Sequence, residues 1–210
     1  MEVKIKICGI NNEKVAKASK DADFVGFVFY QKSPRFVDAI RAREISKTIR
    51  NNQKKVGLFV NADINVMQHI TEYVGLDMIQ LHGKESIDEI IEIKQRLNIP
   101  IIKAISVSDK NDVRLSKKFE NCCDMILFDT KPNTNDLPGG SGKSFDWNLL
   151  ENSKPSIKWM LAGGIDIKNV KDAISKTKAS IIDVSSGVEK ERGIKCEKKI
   201  KEFIRYVKKN

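Results

Sequence analysis

Phe24-Val25-Gly26-Phe27-Val28-Phe29 is an unbroken apolar run in a chain of 210 residues that is 31% charged. A strand made of such a run has no polar face, so it must be covered on both sides, as parallel strands between helices are. Met125-Ile126-Leu127-Phe128 repeats the pattern far downstream. Apolar runs begin near Val3, Phe24, Lys55, Asp77, Pro100, Cys123, Ile157 and Ser180. Between them, 13–19, 39–50, 64–73, 86–97, 112–119, 167–175 and 196–207 show helical periodicity, with a short helical stretch near Trp147. Eight strand-helix pairs of about 26 residues predict one domain over 1–210, a (β/α)8 TIM barrel of eight parallel strands. The competing open, doubly wound sheet lacks support, because no glycine-rich dinucleotide fingerprint follows the first strand.

Two stretches break the regular spacing. The segment 130–145 carries Pro132, Pro138, Gly139, Gly140 and Gly142, and is read as a lid loop after strand six. The segment 30–37 is a second irregular stretch, after strand two. Both fall at the C-terminal ends of strands, the face where barrels carry their chemistry.

The formal charge of +10 raises the question of nucleic acid. Acidic residues are interspersed with the basic ones, and the aromatic platforms of single-strand binders are missing, so solvated helix faces explain the charge better. No window approaches the 18 or more apolar residues that a membrane helix needs, which argues against a membrane. The chain runs from Met1 directly into a strand with no secretory pattern, and a cytoplasmic location is expected. Cys8, Cys122, Cys123 and Cys196 show no metal-ligand spacing, so neither a disulfide nor a metal is expected. Cys122 and Cys123 are placed at the bottom of strand six, where they serve stability.

Cys8 ends the first apolar run, Lys4-Ile5-Lys6-Ile7-Cys8-Gly9-Ile10, just where the chain turns toward a helix. A thiol at that point of an α/β fold is a candidate catalyst. Side chains alternate along a strand, so Lys4, Lys6 and Cys8 share the inner face while Ile5 and Ile7 face the helices. Leu127 and Asp129 share a face on strand six, as do Ile181, Asp183 and Ser185 on strand eight. Strands eight and one are neighbours in a closed barrel, which leaves two readings of Lys6 and Asp183. They pair inside the barrel, where an unpaired charge is very costly, or Asp183 touches substrate while Lys6 favours the Cys8 thiolate. Leu161-Ala162-Gly163-Gly164 and Val184-Ser185-Ser186-Gly187 place small residues after strands seven and eight, where barrels bind phosphate through backbone N–H groups. A phosphorylated small molecule is the expected ligand.

With these segments in hand, the chain resembles the phosphoribosylanthranilate isomerases of tryptophan biosynthesis. The resemblance runs in order through Lys6-Ile7-Cys8-Gly9-Ile10, Gly26-Phe27-Val28-Phe29, Ser33-Pro34-Arg35-Phe36-Val37, Gly57-Leu58-Phe59-Val60-Asn61 and Gln80-Leu81-His82-Gly83. It continues through Phe128-Asp129-Thr130, Gly139-Gly140-Ser141-Gly142, Phe145-Asp146-Trp147, Leu161-Ala162-Gly163-Gly164 and Asp183-Val184-Ser185-Ser186-Gly187-Val188-Glu189. It implies an Amadori rearrangement without cofactor or metal, turning N-(5-phosphoribosyl)anthranilate into 1-(2-carboxyphenylamino)-1-deoxyribulose 5-phosphate. The family's acid, which protonates the ribose ring oxygen, falls on Asp129, and its base, which removes the C2 proton, falls on Cys8. Arg35 matches the arginine that holds the anthranilate carboxylate. Gly163, Gly164, Asp183, Ser185, Ser186 and Gly187 complete the expected substrate contacts, with Lys6 and His82 in support behind them. A homodimer is compatible with the resemblance.

The two roles need opposite environments. A carboxylic acid with a reference pKa of about 3.9 must be kept protonated, and a thiol of about 8.5 must be helped to ionise. A histidine-pathway aldose-ketose isomerase uses two aspartates instead, and an indole-glycerol phosphate synthase a lysine and a glutamate, so Cys8 with Asp129 discriminates against both. One departure stands out: Arg192-Gly193-Ile194-Lys195-Cys196 lacks the family's proline before the glycine and aspartate after the lysine.

Overall fold

Eight strands close in chain order, each hydrogen-bonded in parallel to the next and the last to the first. The computed structural model describes residues 2–131, 142, 144–151 and 153–209, so the expected lid over 130–145 falls mostly outside the described residues. The strands are β1 (Lys4–Cys8), β2 (Phe24–Val28), β3 (Lys54–Phe59), β4 (Met78–Leu81), β5 (Ile101–Val107), β6 (Met125–Thr130), β7 (Lys158–Leu161) and β8 (Ile181–Val184). Helices α1 (Glu13–Ala18), α2 (Ala39–Ser46), α3 (Ile64–Val74), α4 (Ile87–Leu97) and α5 (Lys110–Leu115) follow the first five strands. A short 3-10 turn at Trp147–Leu150 lies between β6 and β7, α6 (Val170–Thr177) follows β7, and α7 (Glu197–Lys208) closes the chain. Among the described residues no helix is long and apolar enough to cross a membrane.

Helix starts are set by side chains that accept otherwise unpaired backbone N–H groups. Asn12 accepts from Val15 at 3.0 Å and Asp38 from Arg41 at 2.8 Å. Ser86 and Glu89 cap α4 reciprocally. Strand starts repeat another device. Asp23, Asp77 and Asp124, each just before an even-numbered strand, accept the backbone N–H of Ile5, Lys55 and Ile101 on the preceding odd strand at 2.8–2.9 Å.

Three elements depart from the periodicity. The helix expected over 39–50 stops at Ser46, because the Ser46 and Thr48 hydroxyls donate back to the Arg43 and Ile45 carbonyls at 2.8 Å. The helix expected over 112–119 starts earlier, where Asp109 and Asp112 form a capping box, and tightens to a 3-10 turn at Ser116–Phe119. After β8 the chain forms an unforeseen antiparallel ribbon, β9 (Glu189–Glu191) with β10 (Ile194–Lys195). Cys196 then stands at the N-cap of α7 without a capping hydrogen bond, in keeping with the missing aspartate.

The alternation reading holds. Ile5, Ile7, Val25, Phe27, Ile126, Phe128 and Ile182 pack outward against the helices in one large apolar cluster. Phe24, Val56, Met78, Ile102, Met125, Leu127, Met160 and Ile181 fill the lumen in a second. Each fully buried aliphatic side chain contributes roughly 1.5–3 kcal/mol. Cys122 and Cys123 are buried just ahead of β6, their thiols donating to the Phe119 carbonyl at 3.3 and 3.1 Å.

Candidate active site

The inward parity that fills the lower lumen brings Cys8, His82, Asp129 and Asp183 to its C-terminal mouth. They line a cleft of about 450 Å³ together with Arg35 and Ser185. A smaller pocket of about 280 Å³ shares Asp129, Asp183 and Ser185 with it and continues to Gly163, Gly164 and Ser186. The expected base, acid, arginine and β7–β8 loops are therefore parts of one connected site.

Beneath Cys8, Lys6 is fully buried. Its ammonium donates to Asp183 Oδ1 at 3.1 Å and to Gln80 Oε1 at 2.8 Å. Lys6 and Asp183 are also register partners across β1 and β8, so the pairing reading is met. Burial works against the Lys6 charge, but Asp183 and Cys8 outweigh it and hold the amine above its usual range. Burial pushes the Asp183 carboxyl up, with Asp129 adding to the effect, against the pull of Lys6. The Cys8 thiol is also pushed up by burial, although Lys6 and Lys195 both favour its thiolate. Lys6 thus stands by both the thiol and Asp183.

His82 follows β4 directly and lies next to the acid. Its Nε2 lies 3.4 Å from Asp129 Oδ2, and its Nδ1 lies 2.9 Å from Gln80 Nε2. The other Asp129 oxygen accepts the Thr130 backbone N–H at 2.8 Å, which fixes the carboxyl plane.

Arg35 is not a surface loop residue; it is 5% exposed. Its Nε and Nη2 donate to the two Glu189 oxygens at 2.7 and 2.9 Å, a bidentate pair of fixed geometry. Lys195 joins from β10, donating to Glu189 Oε1 at 2.6 Å and to the Ser185 hydroxyl and carbonyl at 3.0 Å. Burial raises the Glu189 carboxyl, but Arg35 and Lys195 outweigh it and bring it down to about 2. Burial, helped by Arg35, lowers the Lys195 amine despite Glu189.

At the other end, Gly163 has φ +85° and packs so closely on Thr130 that any Cβ would overlap it. Gly187 was expected at the substrate; what requires a glycine there is contact with the Ile165 carbonyl and Asp166, which a Cβ would overlap. Ser185 donates to the Cys8 carbonyl at 3.2 Å, tying the β8 loop to the end of β1.

The chain and its fold have counterparts among known proteins. A family model described as N-(5'phosphoribosyl)anthranilate (PRA) isomerase matches residues 5–206. The chain belongs to this isomerase family. An N-(5'-phosphoribosyl)anthranilate isomerase of Paracoccus denitrificans is 42% identical over 207 residues, covering 97% of this chain and 96% of its own. Among solved structures, the phosphoribosyl anthranilate isomerase of Thermotoga maritima superposes with a TM-score of 0.88 at 38% identity, over 99% of this chain and all of its own. A further isomerase structure, in complex with reduced 1-(o-carboxyphenylamino)-1-deoxyribulose 5-phosphate, gives 0.85 at 36%, over 99% and 100% of the two chains. Members of the family are aldose-ketose isomerases of tryptophan biosynthesis, built as TIM barrels.

Gln80, Glu189 and Lys195 were not singled out from the sequence, although all three touch expected site residues. Gln80 shares the inward parity of His82 on β4, a signal that alternation alone could have supplied. Glu189 and Lys195 are brought to Arg35 by the β9–β10 ribbon, whose short polar strands leave no apolar period to detect.

Proposed function

We propose that this chain converts N-(5'-phosphoribosyl)anthranilate into 1-(2-carboxyphenylamino)-1-deoxyribulose 5-phosphate, with Asp129 as general acid and Cys8 as general base. The observation that carries this is the convergence of both side chains on one cleft that continues, through Asp129 and Asp183, into the β7–β8 loops. Protonated Asp129 gives its proton to the ribose ring oxygen; the C1–O bond breaks, and the anilinic nitrogen lone pair forms the C1=N⁺ iminium. The Cys8 thiolate then takes the C2 proton. The C–H electron pair becomes the C1=C2 bond, the iminium is neutralised, and the enolamine tautomerises to the ketose.

Burial pushes the Cys8 thiol up, against the expected help toward ionisation; Lys6 and Lys195 oppose that push, and the neighbouring iminium acidifies C2. Gly163, Gly164, Ser185 and Ser186 receive the phosphate, because small residues let backbone N–H groups approach the anion. Arg35, set by Glu189, faces the anthranilate carboxylate. Glu189 and Lys195 position that arginine without touching substrate.

The proposal extends to a cytoplasmic enzyme made of one barrel domain, with 130–145 as its lid and a homodimer as its assembly. A Thermotoga maritima relative described as a dimeric phosphoribosylanthranilate isomerase supports the last point. The test is direct. Folded protein is mixed with freshly prepared phosphoribosylanthranilate, and the loss of anthranilate-type fluorescence is followed. An enzyme-dependent decay is expected, and a trace that matches the buffer control overturns the reading.

A further inference from the structure

We propose that Gln80 is a positioning residue for this reaction: gripped by Lys6, it holds His82 as the neutral Nε2–H tautomer facing Asp129. This rests on the acid role given to Asp129 above.

The Lys6 ammonium has only protons to offer, so the Gln80 atom 2.8 Å away must be its carbonyl oxygen. The amide nitrogen is then the group 2.9 Å from His82 Nδ1. An amide nitrogen donates and does not accept, so Nδ1 must be the bare ring nitrogen. The ring proton is left on Nε2, which stands 3.4 Å from Asp129 Oδ2. Turning the Gln80 amide over would set its N–H groups against a fully buried ammonium.

The consequence bears on the acid. A doubly protonated imidazole offers no lone pair to Gln80, so the ring beside Asp129 is held as a neutral donor. An imidazolium there would lock Asp129 as its anion before the reaction. A neutral N–H instead steadies the carboxylate only after it has released its proton, and the 3.4 Å contact can tighten as that charge appears. The charged and titratable groups that line the cleft with His82 are Asp129 on β6, Asp183 on β8, Cys8 on β1, and Tyr30 and Arg35 after β2. Lys6 reaches the ring only through Gln80, and the same ammonium holds Asp183 and stands by Cys8. One buried lysine thereby orders both the base strand and the acid strand.

The experiment reads the tautomer itself. The chain has two histidines, His69 and His82, so isotope-labelled histidine in the intact protein gives two ring systems, and His69→Gln identifies which belongs to His82. At about pH 7 the long-range proton-nitrogen spectrum is expected to show His82 with a bare Nδ1 and a protonated Nε2. A protonated Nδ1, in either a neutral or a charged ring, overturns the proposal. Gln80→Glu keeps the size and the Lys6 contact but turns an acceptor toward Nδ1. In that variant Nδ1 should gain a proton, and kcat should fall about tenfold or more while KM stays within about twofold. An unchanged tautomer or an unchanged kcat overturns it as well, and if this variant does not fold, the wild-type spectrum alone decides. The two readings separate cleanly. Normal turnover with the wrong tautomer removes the positioning role only, whereas the expected tautomer in a protein without turnover removes the isomerase reading.

Discussion

In the lower lumen Met78, Met125 and Ile181 are buried and apolar; further along the same strands β4, β6 and β8 the inward positions are Gln80, Asp129 and Asp183, with His82 just past β4. The face is the same and so is the burial, yet the chemistry reverses within a single strand. Apolar atoms need only close packing, so the lower half tolerates any side chains that fill it at native density. Buried polar atoms need partners, so polar side chains in the upper half are specified by their neighbours: Lys6 by Asp183 and Gln80, Gln80 by His82, Arg35 by Glu189. The barrel separates stability from catalysis by height along the strand.

Substitutions at the mouth should break this division most visibly in turnover. Cys8→Ser and Asp129→Asn are each expected to lower kcat by about a hundred- to ten-thousand-fold, with a melting temperature within a few degrees of wild type. Near-normal turnover in either variant removes the role assigned to that residue. At the opposite height, Met160→Ala should cost about 2–5 kcal/mol in urea-induced unfolding and leave kcat unchanged at temperatures where the protein is folded. A large kcat loss in that variant would erase the separation of the two halves.

The third prediction is the smallest and concerns the rim. The Glu189 carboxyl is lowered in the folded state from 4.5 to about 2 by Arg35 and Lys195, against the effect of burial. A lowered carboxylate contributes stability that is complete above its unfolded value and is lost as pH falls through the folded one. About 3 kcal/mol should therefore disappear between roughly pH 5 and pH 2. Denaturant titrations across that range should show a shallower loss for Glu189→Gln than for wild type. Parallel curves would mean that the rim pair contributes nothing to acid sensitivity.

Much of this is legible in the sequence. The eight apolar runs begin within two residues of the strands observed, because a strand covered on both faces is apolar along most of its length. The inward set of Lys6, Cys8, Asp129 and Asp183 followed from alternation alone. Helix ends were less legible. The hydroxyl back-bonding that stops α2 and the box that starts α5 are local competitions that periodicity does not register. The ribbon that carries Glu189 and Lys195 to Arg35 has strands too short and too charged to stand out.

The sequence by itself determined the period of the barrel, the inward face of each strand and the identity of the groups at its mouth, since strand geometry converts residue order into direction at fixed spacing. Only the tertiary structure decided who meets whom across the lumen. Lys6 and Gln80 are separated by most of a half-barrel of chain, and Arg35 and Glu189 by most of the protein; these partnerships arise because closure brings distant strands into one small volume. Each buried donor there has to find an acceptor. No order of residues along a single strand states which one it will be.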